Sequence, residues 1–294
     1  MTKAFTIFLF MVALSVNAQN SFRGGMIQGV EAGDPLPKQM GVKAWWDAGY
    51  GINTTAVGKV QTWADLSGNN WVLNNYSNAA PTTSRFAQPP FTRSFSTNGF
   101  PSVALILPTS TSRPTPLQLT GAFPESLSGM DKPHTIISLL APITNASSTY
   151  AFVLQDLNAT NTGSGFRFGI TTLRSANQMR IETAGDTNQS PVTRITFTHG
   201  IAISNYYYAG HVYDGVNGRA WANLSASSLT AYPSQGNTTV SLLRLSGTVQ
   251  TNNTTTDLNG QNYLTMMMFF DYAMTGSQYT NTINWYNNNR YRAF

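Results

Sequence analysis

Hydrolysis of a glycosidic bond needs two carboxyl groups held roughly 5 to 9.5 Å apart, and the chain has three glutamates, Glu31, Glu125 and Glu182. Glu182 and Asp186 come closest to a pair, with Gly185 between them marking a turn. Other chemistries lack partners too. Gly163-Ser164-Gly165 is not the Gly-x-Ser-x-Gly of a nucleophile elbow and reads as a flexible hairpin. His134, His199 and His211 stand apart, without His-x-His or His-Glu-x-x-His spacing, which argues against zinc. Gly58-Lys59 lacks the upstream glycine of a phosphate loop. The run Asp156 to Thr160 alternates oxygen donors, but no glutamate closes it as in a calcium loop, so it reads as a solvated turn. The expectation is a non-enzyme with no catalytic residue, no metal and no cofactor.

Aromatic rings and amides remain. Sugars are held by stacking an apolar ring face on Trp or Tyr while amides and carboxylates take the hydroxyls, and the chain carries six Trp and thirteen Tyr. Trp45 and Trp46 are adjacent, so on a strand they face opposite sides, and only one is core unless both faces are covered. Trp46 and Trp63 read as packing residues. Tyr206-Tyr207-Tyr208 is expected to turn at least one ring outward. Sugar-contacting residues are left unassigned. Asn-x-Ser/Thr acceptor sites for N-glycosylation occur at Asn53, Asn75, Asn145, Asn158, Asn188, Asn223, Asn237, Asn252 and Asn253. With Asn, Ser and Thr this abundant, many arise by composition alone.

These residues must be positioned by strands. From Gly41 onward, short apolar and aromatic runs are broken every 8 to 12 residues by turn dipeptides such as Asn98-Gly99, Asp214-Gly215, Asn217-Gly218 and Asn259-Gly260. The expected strands are Val42 to Trp46, Val103 to Leu107, Thr135 to Leu140, Tyr150 to Leu154, Phe166 to Ile170, Gln178 to Glu182, Tyr206 to Tyr213, Arg219 to Asn223, Ser241 to Leu245 and Tyr263 to Phe270. Ile136 to Leu140 and Met266 to Phe270 are apolar on both faces and belong in the middle of stacked layers. Near the C-terminus Thr275 and Gln278 have capping-box spacing, and Tyr279, Ile283 and Tyr286 follow at helical intervals.

Composition narrows the class further. Charged residues make up 10% of the chain, against about 25% in ordinary globular domains, so Asn, Thr and Ser must supply the polar surface. The net charge of +5 comes from scattered bases, so no nucleic-acid partner is expected. Residues 1–18 read as a secretory signal peptide: Lys3, an apolar run from Ala4 to Val16, and small residues at Asn17-Ala18. The run is shorter than the roughly 20 residues of a membrane span, and no integral span is expected in the mature chain. An exported chain without cysteine must rely on a large core. Residues 19–40, rich in Gly and Pro, read as an extended arm or linker, and residues 41–294 as one domain.

The opening block of that domain runs Val42-Lys43-Ala44-Trp45-Trp46-Asp47-Ala48, then Gly51, then Val60-Gln61-Thr62-Trp63-Ala64-Asp65-Leu66-Ser67-Gly68-Asn69-Asn70. It resembles the start of concanavalin A-like (laminin G-like) lectin and glucanase domains, with their Trp-x-Asp-x-Ser-Gly-x-Asn segment. Asn98 to Val103, Pro133 to Ala141, Arg219 to Asn223, Ser241 to Gly247 and Met268 to Thr275 extend the resemblance over residues 41–293. Asp271-Tyr272-Ala273 lacks the family's usual basic residue, and Asn223-Leu224 replaces its Asn-Gly. The resemblance implies an all-β, two-sheet antiparallel jelly-roll sandwich with a short C-terminal helix. The Glu-x-Asp-x-(x)-Glu strand of the family's glucanases is absent, which makes hydrolysis the least favoured reading. The expected function is a secreted, non-catalytic surface protein, a structural subunit of an extracellular filament, sheath or shell that self-associates through the N-terminal arm. The alternative is a glycan-binding lectin module.

Overall fold

The computed structural model describes residues 35–54, 60–75, 86–88, 91–94, 100–105, 113–114, 117–120, 132–142, 149–155, 166–172, 178–187, 190–202, 205–232, 242–245, 262–291 and 293. It opens with α1 (Leu36–Gln39), β1 (Ala44–Asp47), β2 (Ile52–Thr54), β3 (Val60–Ala64), β4 (Val72–Asn75), β5 (Phe86–Gln88), β6 (Phe91–Ser94) and β7 (Pro101–Leu105). Next come β8 (Arg113–Pro114), β9 (Leu117–Thr120), β10 (His134–Pro142), β11 (Thr149–Gln155), β12 (Phe166–Thr172), β13 (Gln178–Thr187) and β14 (Ser190–Thr198). The last part holds β15 (Tyr207–Tyr213), β16 (Asn217–Ala222), β17 (Ser225–Ala226), β18 (Thr230–Ala231), β19 (Leu242–Leu245), β20 (Asn262–Phe270) and α2 (Gly276–Asn289). The signal-peptide expectation falls outside the described residues.

Two antiparallel sheets carry the fold. The first runs β17-β16-β15-β10-β20-β7-β6, with β18 beside β16. One edge of β20 is shared: β7 pairs with its start and β1 with its end. The second sheet runs β14-β13-β12-β11-β19-β9-β4-β3-β2. The chain leaves the first sheet after β10, builds β11 to β14 in the second, returns for β15 to β18, crosses to β19 and comes back for β20. Such repeated crossing makes the two-sheet jelly roll anticipated above, in which hairpins such as β12-β13 and β13-β14 are joined by long-range pairings such as β10-β20 and β11-β19.

All nine residues of β10 and all nine of β20 are buried, because the first sheet is covered on both faces. Toward the second sheet, Trp46, Ile136, Leu140, Met267 and Phe269 pack with Val60, Trp63, Leu73, Leu117 and Leu243. Away from it, Trp45, Ile137, Leu139, Met266 and Met268 pack with Tyr279, Ile283 and Tyr286 of α2. The strict alternation of side chains breaks once in β20. Leu139 pairs with Met266 and Leu140 with Leu264, so Thr265 is an inserted bulge residue. The insertion puts Leu264 and Met267 on the sandwich face while Met266 and Met268 meet the helix.

The helix forms where the capping-box spacing placed it. Gln278 N donates to Thr275 Oγ1 at 3.2 Å and Thr275 N to Gln278 Oε1 at 2.9 Å. Tyr279, Thr282, Ile283, Tyr286 and Asn287 form its buried stripe, the spacing of a helix laid on a core. This cover meets one condition set by the sequence and corrects one expectation. With both faces covered, Trp45 and Trp46 are both core, at 1% and 0% exposure. None of Tyr206, Tyr207 and Tyr208 faces solvent: Tyr207 lies between the sheets, while Tyr206 and Tyr208 lie under the helix layer. The described end of the 19–40 segment is helical, with Pro37 buried and Met40 O accepting from Tyr272 at 3.0 Å.

Candidate functional site

Glu182 and Asp186 both lie on β13, four residues apart on one strand, where the sequence suggested a turn at Gly185; their side chains lie outside the described part of the structure. Glu31, Glu125, Gly58-Lys59, Asp156 to Thr160 and Gly163 to Gly165 lie outside the described residues. Of the glycosylation acceptors, Asn53 is exposed on β2 and Asn75 ends β4. Asn223 serves the turn before β17: its φ is 51° and its Oδ1 accepts from Tyr208 N at 2.9 Å. Asn145, Asn158, Asn188, Asn237, Asn252 and Asn253 lie outside the described residues.

The Trp-x-Asp-x-Ser-Gly-x-Asn segment acts as a clasp on β1. Asp65 Oδ1 accepts from Trp45 N at 2.6 Å and from Ser67 N at 3.0 Å, while Ser67 Oγ and Asn69 Nδ2 both donate to Lys43 O. Gly68 at φ 102° lets the loop turn back tightly enough to reach. Trp63 Nε1 donates to Asp47 O at 3.1 Å, tying β3 to the end of β1.

Asp47 itself was legible only as part of that family-like block, yet it is the fully buried carboxyl at the centre of the helix layer. Its Oδ1 accepts from Tyr291 Oη and from Gly49 N at 2.9 Å, and its Oδ2 from Tyr286 Oη at 3.2 Å. Burial pushes its pKa up, and the bonds from Tyr291 and Gly49 and the charge of Arg290 oppose that rise. Burial, followed by the Asp47 charge, also holds the Tyr286 and Tyr291 hydroxyls protonated far above their ordinary range. The group is sealed from solvent and fastens α2 and the chain after it to β1; Tyr208 Oη adds a bond to Tyr291 O at 3.1 Å.

Arg290, at the end of α2, is half-buried above this network. Its guanidinium carbon lies 4.5 Å from the ring centre of Tyr50 and 5.9 Å from that of Trp285, both rings themselves half-buried. Among the described residues the ion pair within 4 Å is Lys43 with Asp271, at 3.2 Å, so no described carboxylate neutralises Arg290 directly. A cation lying over two half-buried aromatic residues is a described group suited to a polar ligand with an apolar side.

The histidines are not isolated in space. His134 and His211, on the paired strands β10 and β15, approach to 3.2 Å. Burial lowers His134 to about 4 and His211 well below its ordinary value, helped there by His134. Lys132 O can only accept, so the neutral rings form a one-way chain: Tyr232 Oη donates to His211 Nε2, His211 Nδ1 to His134 Nε2, and His134 Nδ1 to Lys132 O. Among the described residues, no three His, Asp or Glu groups assemble for a metal. No helix among them is long and apolar enough to cross a membrane.

No protein-family model matches the chain, and no curated protein matches it. Solved structures do resemble it. The botulinum neurotoxin type G receptor-binding domain superposes with a TM-score of 0.53 at 10% identity, over 83% of this chain and 51% of that one. The receptor-binding domain of botulinum neurotoxin D gives 0.56 at 8% identity, over 86% and 54%. The serotype D ligand-binding domain, solved in complex with N-acetylneuraminic acid, gives 0.54 at 8% identity, over 83% and 50%. The chain thus spans about half the length of these structures, and at such identity the likeness establishes the β-sandwich fold alone.

Proposed function

We propose that this chain is a secreted, non-catalytic β-sandwich of the concanavalin A-like type that binds glycans on the shelf formed by Tyr50, Trp285 and Arg290. The carrying observation is that half-buried shelf, with two aromatic faces and a guanidinium lacking a described carboxylate partner. The complex of a similarly folded domain with N-acetylneuraminic acid supports the direction, and the clasp on β1 supports the family type. A glycan array probed with the wild type, Trp285→Ala and Tyr50→Ala tests the reading. Binding to at least one glycan class should fall sharply in both variants while their melting temperatures stay close to wild type. A wild type that binds no glycan overturns it.

A structural subunit of an extracellular assembly is the second reading, favoured by a separate observation. Val216, Leu224 and Leu229, exposed at 63%, 47% and 58%, lie in the links that join β15, β16, β17 and β18 at the end of the first sheet. Exposed apolar edges are pairing sites, and residues 19–34 would be the self-associating arm. Light scattering of the full chain and of a form lacking 19–34 decides this: large particles lost on truncation support assembly, and monomers in both cases exclude it.

A further inference from the structure

We infer that the ligand held at Arg290 is an acidic saccharide whose carboxylate sits on the guanidinium while an apolar face of its ring lies on Trp285. The inference rests on the glycan-binding reading and names the chemistry of the sugar. A guanidinium presents five N–H donors in a planar fork. Neither of its described neighbours supplies a carboxylate within ion-pair distance.

The nearest buried acid makes no direct pair with it. Both oxygens of Asp47 are occupied, Oδ1 by Tyr291 and Gly49 and Oδ2 by Tyr286, and Asp47 and Arg290 act on each other only through space. Arg290 spends one bond on the Tyr50 side chain, and the rest of its five-donor fork stands half-buried beside the two rings with no described carboxylate on it. The Tyr50 ring at 4.5 Å and the hydrogen bond between the two side chains restrain the guanidinium, and a restrained planar fork suits the parallel two-bond pairing that a planar carboxylate matches. The half-buried face of Trp285, packed edge-on against Tyr286 at 5.3 Å between ring centres, is rigidly backed. Charge alone would attract any anion; charge beside a fixed aromatic face selects one with an apolar side, as the ring of a sialic or uronic acid has.

Calorimetric titration of the full chain tests this with four probes: the methyl glycoside of N-acetylneuraminic acid, methyl glucuronide, neutral methyl glucoside, and acetate. Both acidic sugars should bind at least tenfold more tightly than methyl glucoside and than acetate. A sialic or a uronic acid source shows as preference for one of the first two. Arg290→Gln should remove that preference, and Arg290→Lys should retain part of it, since charge survives but the fork does not. Trp285→Ala should weaken both acidic sugars and leave acetate unchanged. Equal binding of neutral and acidic sugars, lost in Trp285→Ala, overturns the acidic inference and leaves the glycan reading standing. Acetate binding as tightly as the sugars, or acidic preference surviving Arg290→Gln in a protein with wild-type melting, also overturns the inference. Binding of none of the sugars overturns both.

Discussion

The two faces of the first sheet are buried equally and held differently. Toward the second sheet the contacts are mainly apolar: Trp46, Ile136, Leu140, Met267 and Phe269 meet Trp63, Leu73 and Leu243, the chain from Tyr232 through His211 to His134 is the polar exception described above, and Tyr207 Oη and Trp46 Nε1 have no hydrogen-bond partner among the described residues. Toward α2, hydroxyls are put to use. Tyr286 and Tyr291 donate to Asp47, Tyr208 donates to Tyr291 O, and Ser102 Oγ bonds both Tyr206 Oη and Thr265 Oγ1. Tyr279 Oη, Trp45 Nε1 and Trp221 Nε1 have no hydrogen-bond partner on that side among the described residues. Sheet-on-sheet packing is fixed by many strands in register, so bulk apolar area suffices. A single 14-residue helix has no such register, and directional bonds fix where it lies.

The largest expected effect breaks the sandwich side. Trp63→Ala deletes a fully buried ring and the bond to Asp47 O, so it should cost about 3 to 5 kcal/mol, read as a shift in the urea midpoint. If stability holds while sugar binding disappears, Trp63 is a binding residue and not core.

On the helix side, Asp47→Ala leaves two tyrosine hydroxyls and the Gly49 amide without their acceptor, at about 3 kcal/mol in total. Asp47→Asn keeps one acceptor oxygen and should cost roughly half as much. Equal losses in the two variants would show that shape, not bonding, holds α2 in place. Near-UV circular dichroism should register loss of helix docking before global unfolding in both.

The strands that could be read from sequence were those with an unambiguous apolar pattern, such as β10 and β20, and the helix followed from Thr275 and Gln278. What covers a face could not be read, because the cover comes from far along the chain. Tyr208 meets a partner 83 residues away, His134 one 77 away, and Asp47 one 244 away. Periodicity assigns a side chain to a face and says nothing of what lies opposite. Hence three adjacent tyrosines looked partly exposed, and three histidines looked isolated. The Arg290 shelf was missed for the same reason: Tyr50 and Trp285 carry no local signal of sharing one cation.

Two glycines compare the faces at smaller scale. A Cβ on Gly210 would stand 2.4 Å from Tyr279 Oη of α2, and one on Gly218 would stand 2.5 Å from Tyr232 Cζ. Rings pressed on backbone cannot yield freely, so each Gly→Ala change should cost about 1 to 3 kcal/mol. Gly210→Ala should disturb the helix layer, and Gly218→Ala the histidine chain through Tyr232. A double variant should be additive within about 0.5 kcal/mol if the two faces are independent.

The finest test is pH. The folded chain holds His134 and His199 at about 4 and His211 well below its ordinary 6.5. Below about pH 6.5 the unfolded chain binds protons that the folded chain refuses, so stability must fall as pH drops from 6.5 toward 4. Each fully buried neutral histidine contributes a slope of about 1.4 kcal/mol per pH unit, and His199, partly exposed, contributes less. Asp47 acts with the opposite sign. Its folded pKa is raised above 3.8, so over the range between the two values the folded chain holds the extra proton and gains stability as pH falls. The two faces therefore oppose each other in acid. Asp47→Asn removes the helix-side term and should steepen the acid loss, whereas His134→Gln removes one sandwich-side proton and should flatten it by about 1.4 kcal/mol per pH unit. Urea midpoints measured from pH 7 to below pH 4 cover both terms. A slope unchanged by His134→Gln would mean that His134 is protonated in the folded chain, and the one-way chain from Tyr232 to Lys132 could not exist, because two ring N–H groups would then face each other.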